Sequence, residues 1–334
     1  MAEDNPISFR FLPAHRIDPK DDTFHGSKYL LDIEWWYFDA IFENGMSAHI
    51  GFRIYHIRDI GMLQTRINLY KNGELIKEKI KIYPLSNTTI DTKKPSIIIN
   101  DKKVVSFQID TTKKEKPWTY NIDVSVDDIS LSLNFTGQTE GWKIETESTC
   151  WAVPLPHATV TGSISINEKT KTVKGTGYHD HNWGYSPTTV LRNIGWYWGR
   201  ISANNLHTTW ANTIITKTKQ DLLTIVNKPY NHNNQKPFFT SIHPDNITFK
   251  TMNYKKQNSH SIPTSFELSF AQHVKKTDEI VKGTIKMDTI DIHYDRIFII
   301  DYWRYHVNVS GTIQYGENIE KINEKPQIIE YLHF

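Results

Sequence analysis

The feature that most constrains this chain is alternation: apolar and polar residues trade places every second position. Ile122-Asp123-Val124-Ser125-Val126, Ile129-Ser130-Leu131-Ser132-Leu133-Asn134-Phe135 and Val160-Thr161-Gly162-Ser163-Ile164-Ser165-Ile166 all show it. A strand sends successive side chains to opposite faces, so this is the pattern of half-buried strands. Runs rich in Val, Ile, Thr, Tyr, Phe and Trp recur between Gly, Pro, Asn and Asp. No long stretch carries an apolar helical stripe, although a short helical piece is allowed near residues 186 to 193. Hairpin turns are legible at Glu43-Asn44-Gly45 and Lys71-Asn72-Gly73, because Asn-Gly suits the left-handed backbone of a type I′ turn. Asn167 to Lys171 reads as a longer polar hairpin tip. The expected class is all-β, built of antiparallel barrels or sandwiches.

A length of 334 residues allows two ordinary domains. Residues 1–25 read as an irregular arm. A first strand set spans 26–188, and a second, opening after Ser186-Pro187, spans 189–334. The polar stretch Asn227 to Lys236 reads as a loop in the second set. Lys+Arg is 39 and Asp+Glu 37, a near balance that argues against nucleic-acid binding through bulk positive charge. The single cysteine, Cys150, excludes an internal disulfide framework and any multi-thiolate metal site. The acidic start reads as no secretory signal, and with the lone thiol it points to a cytoplasmic location. No G-x-G-x-x-G after a strand, no P-loop and no G-x-S-x-G is present, so nucleotide cofactors and serine hydrolysis lack support.

Three aromatic segments carry the candidate chemistry, and six of the ten tryptophans fall between residues 142 and 210. In Glu34-Trp35-Trp36-Tyr37-Phe38-Asp39, extended backbone puts Glu34, Trp36 and Phe38 on one face and Trp35, Tyr37 and Asp39 on the other. Each face then sets a carboxylate among rings, where lost hydration favours the neutral form and raises the pKa. A carboxylate hydrogen-bonded to a neighbouring strand or to Arg53 fits the same letters. In Gly175-Thr176-Gly177-Tyr178-His179-Asp180-His181-Asn182-Trp183-Gly184, the residues Tyr178, Asp180 and Asn182 share one face. His179, His181 and Trp183 share the other, and the glycines admit a close backbone or ligand. His-x-His can present two imidazoles to an ion. A third ligand would have to come from elsewhere, such as His157 or His207, and no spacing points to one, so no metal is assigned. A fully hydrogen-bonded polar knot is the structural alternative. In Gly195-Trp196-Tyr197-Trp198-Gly199-Arg200, the side chains of Trp196, Trp198 and Arg200 line one face. Tyr197 lies on the other between glycines, a wall with a gap that suits a flat apolar ligand. Tyr302 to His306 reads as a core strand with Arg304 as a packing partner.

The E-W-W-Y segment, the central G-T-G-Y-H-D-H-N-W-G, the W-Y-W-G-R strand and the closing E-Y-L-H-F together resemble the carotenoid 1,2-hydratase (hydroxyneurosporene synthase) family. That family is part of a wider two-domain lipocalin-like group with flavonoid hydratases and Diels–Alderases. The resemblance implies two lipocalin-like barrels packed side by side, an apolar isoprenoid or polyene substrate and no organic cofactor. Peripheral membrane contact would fit such a substrate; oligomeric state is left open. The matching positions are Glu34, Trp35, Trp36, Tyr37, Tyr178, His179, Asp180, His181, Asn182 and Trp183.

Hydrating an isolated alkene needs an acid to protonate one carbon, shelter for the cation, and a held water. The expected assignment is Asp180 as acid with His179 or His181 orienting it or placing water, and Tyr178 beside it. Glu34 is the alternative acid, and Trp36, Trp183, Trp196 and Trp198 form the cation-facing wall. On a regular strand both histidines face away from Asp180, so their direct help requires a bulge. A non-catalytic carrier of an apolar ligand and a cofactor-free cyclase are the competing readings.

Overall fold

A computed structural model describes residues 11–26, 31–57, 60–146, 149–186, 193–216, 219–228, 238–275, 278–297 and 300–334. The expected boundary at residue 188, most of the 186–193 segment and most of the polar stretch after Asn227 lie outside the described residues. The rest is mostly strand, with single 3-10 turns at Pro19–Asp22, Leu85–Asn87 and Pro244–Asn246. The first set is β1 (His15–Arg16), β2 (Asp32–Phe42), β3 (Met46–Ile57), β4 (Ile60–Lys71), β5 (Glu74–Pro84), β6 (Thr88–Ile90), β7 (Ser96–Ile99), β8 (Lys102–Ile109), β9 (Trp118–Val126), β10 (Ile129–Gly137), β11 (Trp142–Glu145), β12 (Cys150–Ile166) and β13 (Lys169–Tyr185). The second is β14 (Gly195–Ser202), β15 (His207–Thr216), β16 (Lys219–Lys228), β17 (Phe238–Ser241), β18 (Ile247–Gln257), β19 (His260–Val274), β20 (Glu279–Ile297), β21 (Ile300–Tyr315) and β22 (Asn318–His333). Residues 14–186 cluster as one compact unit, and residues 193–228 with 239–334 as the other, residues 11–13 grouping with the second. The all-β expectation is met.

The first unit is one antiparallel sheet in the order β5-β4-β3-β2-β13-β12-β10-β9-β8-β7-β6, with β11 beside β12 and β1 beside β11. It curls until Lys77 and Lys79 of β5 reach the β9–β10 turn, where Lys77 Nζ lies 2.6 Å from Asp128 and Lys79 Nζ 3.1 Å from Asp127. The alternating residues of β9 and β10 put Ile122, Val124, Leu131, Leu133 and Phe135 in the core with Phe38, Ile50 and Phe52. The second unit follows the order β17-β16-β15-β14-β22-β21-β20-β19-β18. Its far edges approach through Gln272 of β19, whose side chain accepts from His243 N (2.6 Å) and donates to Ser241 O just past β16 in the sheet order (3.0 Å). The sheet is therefore a nearly closed barrel. Among the described residues no helix is long and apolar enough to cross a membrane.

The turns follow their residues. Asn72 and Gly73 both have positive φ, as a type I′ turn requires. At Glu43–Gly45 only Gly45 has positive φ, and its N–H bonds to Phe42 O (3.0 Å), so this is the three-residue hairpin instead. The tip expected over residues 167–171 shrinks to Asn167 and Glu168, at φ 49° and 65°, because Lys169 to Lys171 already pair with β12.

The glycines of β13 mark close approach of backbone and core. A Cβ on Gly175 would stand 2.1 Å from Ile41 O, and one on Gly177 2.5 Å from Val160 and 2.6 Å from Phe135. Gly177→Ala is therefore expected to destabilise the protein by about 1–3 kcal/mol through overpacking. Urea unfolding checks this, and an unchanged midpoint contradicts the packing account.

Candidate functional site

Strands β2 and β13 pair without interruption from Gly175 opposite Phe42 to Asn182 opposite Trp35. Period-two alternation on both strands then sorts the expected site residues into two groups on opposite faces. Glu34, Trp36, Phe38, His179, His181 and Trp183 share the inner face, each segment alternating as anticipated and the strand pairing joining the two sets. Trp35, Tyr37, Asp39, Tyr178, Asp180 and Asn182 share the outer one. The bulge needed to bring a histidine to Asp180 is absent from this pairing. The expected Asp180–histidine partnership is therefore not assembled.

The inner group is a knot of charges in a dry place. His181 Nε2 lies 2.9 Å from Glu34 Oε1, and its Nδ1 lies 3.3 Å from Asp22 Oδ1. His179 Nε2 lies 3.1 Å from Asp22 Oδ2, and its Nδ1 donates to the Tyr37 carbonyl at 2.9 Å. Tyr120 donates to Asp22 Oδ2 at 2.6 Å, and the His25 backbone N–H donates to Glu34 Oε1 at 3.0 Å. The cross-strand register stacks each imidazole on a ring: His179 on Phe38 at 3.8 Å, His181 on Trp36 at 4.2 Å. His25 stacks on Trp183 at 3.7 Å and 5°. Asp22, His179 and His181 are fully buried, and Glu34 is 1% exposed.

Burial pushes the Glu34 carboxyl up, as the sequence implies. The hydrogen bonds and charges of His181 and His25 outweigh it and hold Glu34 below its ordinary value, against the expected rise. Burial likewise pushes Asp22 up, and His179 and His181 reverse the direction. Burial pushes His181 down, but Asp22 and Glu34 raise it to about 9. At neutral pH the knot holds two carboxylates around an imidazolium, so Glu34 is not a neutral acid waiting to donate.

The outer group centres on Asp180. Its Oδ2 accepts from Tyr178 OH (2.9 Å) and Trp151 Nε1 (3.1 Å), and its Oδ1 accepts from Asn182 Nδ2 (2.9 Å). Burial first, then the charge and hydrogen bond of Asp180, push the Tyr178 hydroxyl well above its usual range, so it is a neutral phenol. Beside this cluster Tyr37 donates to Asp39 at 3.2 Å, and its ring meets Tyr178 edge-on. Trp35 packs on Tyr185 at 4.8 Å, with the Arg53 guanidinium 5.7 Å from its ring.

In the second unit, Trp196, Trp198 and Arg200 share one face of β14, opposite Leu332, Glu330 and Ile328 of β22. Arg304 donates to Glu330. Tyr197 turns the other way and stacks on Tyr331 at 4.2 Å. The expected gap beside Gly199 is filled: a Cβ there would stand 2.8 Å from the Trp210 indole. The cation-facing wall also changes, since Trp36 and Trp183 are spent stacking on imidazoles.

Sequence reasoning missed Asp22, His25, Tyr120 and Trp151. Asp18-Pro19-Lys20-Asp21 is a readable one-turn start, with the Asp18 side chain capping Lys20 N (2.8 Å) and Asp21 reaching back to Asp18 N (2.9 Å). Nothing in those letters says that the next residue, Asp22, enters the core.

No protein-family model matches this chain, and no curated protein matches it. Solved structures do. A protein from Nitrosomonas europaea assigned as AttH is 14% identical over 96% of this chain and 97% of its own, with a TM-score of 0.63. CghA, solved with Sch210972, is 12% identical over 97% and 98%, with a TM-score of 0.61. Kievitone hydratase from Nectria haematococca is 8% identical over 98% of each chain, with a TM-score of 0.54. The fold is two-domain lipocalin-like. At these identities the likeness establishes the fold of both units and leaves the chemistry to the residues above.

The knot's charges make stability depend on pH. His181 is raised in the folded state, so its contribution is complete below pH 6.5 and disappears as pH climbs through about 9. Asp22 and Glu34 are lowered, so theirs are complete above their ordinary values of 3.8 and 4.5 and disappear as pH falls. In chelator-containing buffer, urea unfolding is expected to show greatest stability near pH 5–6. A loss of about 3 kcal/mol by pH 10 follows from the rise of His181 from 6.5 to about 9. A flat alkaline limb contradicts the imidazolium.

Proposed function

We propose that the chain is a hydratase- or cyclase-type catalyst acting on an apolar isoprenoid-like substrate, with the outer face of β2 and β13 as its catalytic face. The observation that carries this is the Asp180 cluster: a buried carboxylate held by a phenol, an indole and an amide beside the rings of Trp35, Tyr37 and Tyr185. Two structural neighbours support the class: one is a hydratase by name, and CghA was solved with Sch210972. The resemblance to carotenoid 1,2-hydratases points the same way.

In hydration one carboxyl can serve both halves of the reaction. As the acid it protonates an alkene carbon; as the carboxylate it sits near the cation and takes a proton from the water that adds. Asp180 is assigned this role, with Tyr178, Asn182 and Trp151 positioning it. Rings along Trp35 and Tyr37 favour the cation by about 0.5–2 kcal/mol each where they face it. The cyclase reading rests on a specific observation too. Three donors converge on Asp180 and fix its position, which suits substrate alignment as much as proton delivery.

The test is turnover of a polyene with a terminal trisubstituted double bond, after far-UV circular dichroism has confirmed folding. Asp180→Asn is expected to lower hydration by about 10²–10⁴-fold, the usual worth of a proton-transfer group. Tyr178→Phe is expected to lower it less. Full hydration by Asp180→Asn removes the assignment. Stoichiometric binding without product by the wild type makes the protein a carrier.

A further inference from the structure

We infer that His25, Glu34 and His181 form a binding site for a first-row divalent metal ion, with Zn²⁺ the best chemical fit. One ligand atom from each of the three lies within 4.8 Å of the other two. His181 Nε2 and His25 Nδ1 stand 2.9 Å and 3.4 Å from Glu34 Oε1. A tetrahedral ion with bonds of about 2.0–2.1 Å holds its donors about 3.3 Å apart, so both separations from Glu34 Oε1 are already near that value, and the two imidazole nitrogens, within 4.8 Å of one another, close by at most about 1.5 Å. Two imidazoles and a carboxylate are a donor set that suits zinc and leaves a fourth position for water.

A merely structural hydrogen-bond knot does not explain all of the geometry. Glu34 Oε2 is buried with no hydrogen-bond partner, and His25 Nδ1 is near Glu34 without the alignment of a hydrogen bond. His25 Nδ1 and His181 Nε2 both approach Glu34 Oε1, and the second oxygen of the same carboxylate is left over. The surroundings are those of a ligand set already held. The remaining ring nitrogen of His181 stands 3.3 Å from Asp22 Oδ1, an ion-pair contact that a small ring rotation turns into the carboxylate–histidine hydrogen bond that fixes tautomer and ring angle at metal sites. Asp22 is in turn held by His179 and Tyr120. Trp183 and Trp36 clamp the two ligand rings face to face. His25 is the exposed member, its side chain 23% accessible, and gives the ion its way in. The third ligand is thus His25, from the segment before β2, rather than His157 or His207. Charge balances simply: the ion replaces the proton between His181 Nε2 and Glu34, and that proton leaves to solvent.

The untagged full-length protein, stripped with chelator and dialysed, is titrated with Co²⁺ and with Zn²⁺. Expected are one equivalent of Co²⁺ with the intense visible absorption of a low-symmetry N/O site, its displacement by Zn²⁺, and a Zn²⁺-dependent rise in melting temperature. His25→Gln removes the most exposed ligand and is the variant that should still fold. It should weaken binding at least tenfold while its far-UV spectrum and metal-free melting temperature stay close to wild type. His273→Gln, at an exposed histidine outside the cluster, should leave binding unchanged. Absence of a stoichiometric Co²⁺ spectrum in the wild type, or undiminished binding by His25→Gln, overturns the site.

Discussion

Two carboxylates ionised inside a protein core need a cation within reach, and in the first unit that cation is His181. Removing each ion from water costs several kcal/mol. An opposite charge near 4 Å returns about 4 kcal/mol at the effective dielectric of such sites. Asp22 and Glu34 flank His181 at 3.3 Å and 2.9 Å, so attraction and desolvation come close to cancelling. Net stability is therefore not what the knot supplies. It supplies position: Asp22 and His25 come from the segment before β2, and the knot ties that segment to β2 and β13. Any other register of those strands would leave three buried charges unpaired.

Much of this arrangement was readable from period-two alternation alone. Letters at 34–38 correctly placed Glu34 and Trp36 on one face of their strand, and letters at 178–183 separated His179, His181 and Trp183 from Tyr178, Asp180 and Asn182; that the two strands pair and merge these faces came from the structure. Asn72-Gly73 announced its turn because its residues set the local backbone. What alternation could not reach was direction of charge transfer. It predicted that rings around Glu34 would raise its pKa, and burial does act that way. The reversal comes from His181 and His25, the second of which lies on a stretch with no periodic pattern. Asp22 is hidden for the same reason, since a one-turn start fixes backbone and says nothing about which side chain enters a core 98 residues away in sequence at Tyr120.

The second unit shows the same limit in apolar form. Trp196-Tyr197-Trp198-Gly199 reads as rings around an opening, and the opening is real on the strand. The neighbouring strand decides what fills it. Trp210 pairs with Gly199 and lays its indole over the missing side chain. Glycine opposite tryptophan is a packing solution in which the small residue makes room for the large one. Density of tryptophan in a sequence therefore measures how much ring must be packed, and only the register tells which rings are left to face a ligand.

On the outer face the distribution of donors around Asp180 bears on the chemistry more than the identity of the carboxylate does. A proton placed on Oδ2 competes with Tyr178 and Trp151, both of which need an acceptor there. Neither the indole N–H nor a phenol held neutral by burial gives up its proton easily. Protonating Oδ2 therefore means displacing a donor in a dry place, which costs about 1–3 kcal/mol for the group left unpaired. Substrate binding can offset that cost if it turns the Tyr178 hydroxyl toward itself, leaving Oδ2 to carry the proton. The Tyr178–Asp180 pair is then a two-position device. In one position it is a fixed anion facing a developing cation, in the other an acid beside a phenol. Under the proposed function, the position that the substrate selects is what would separate ring closure from addition of water.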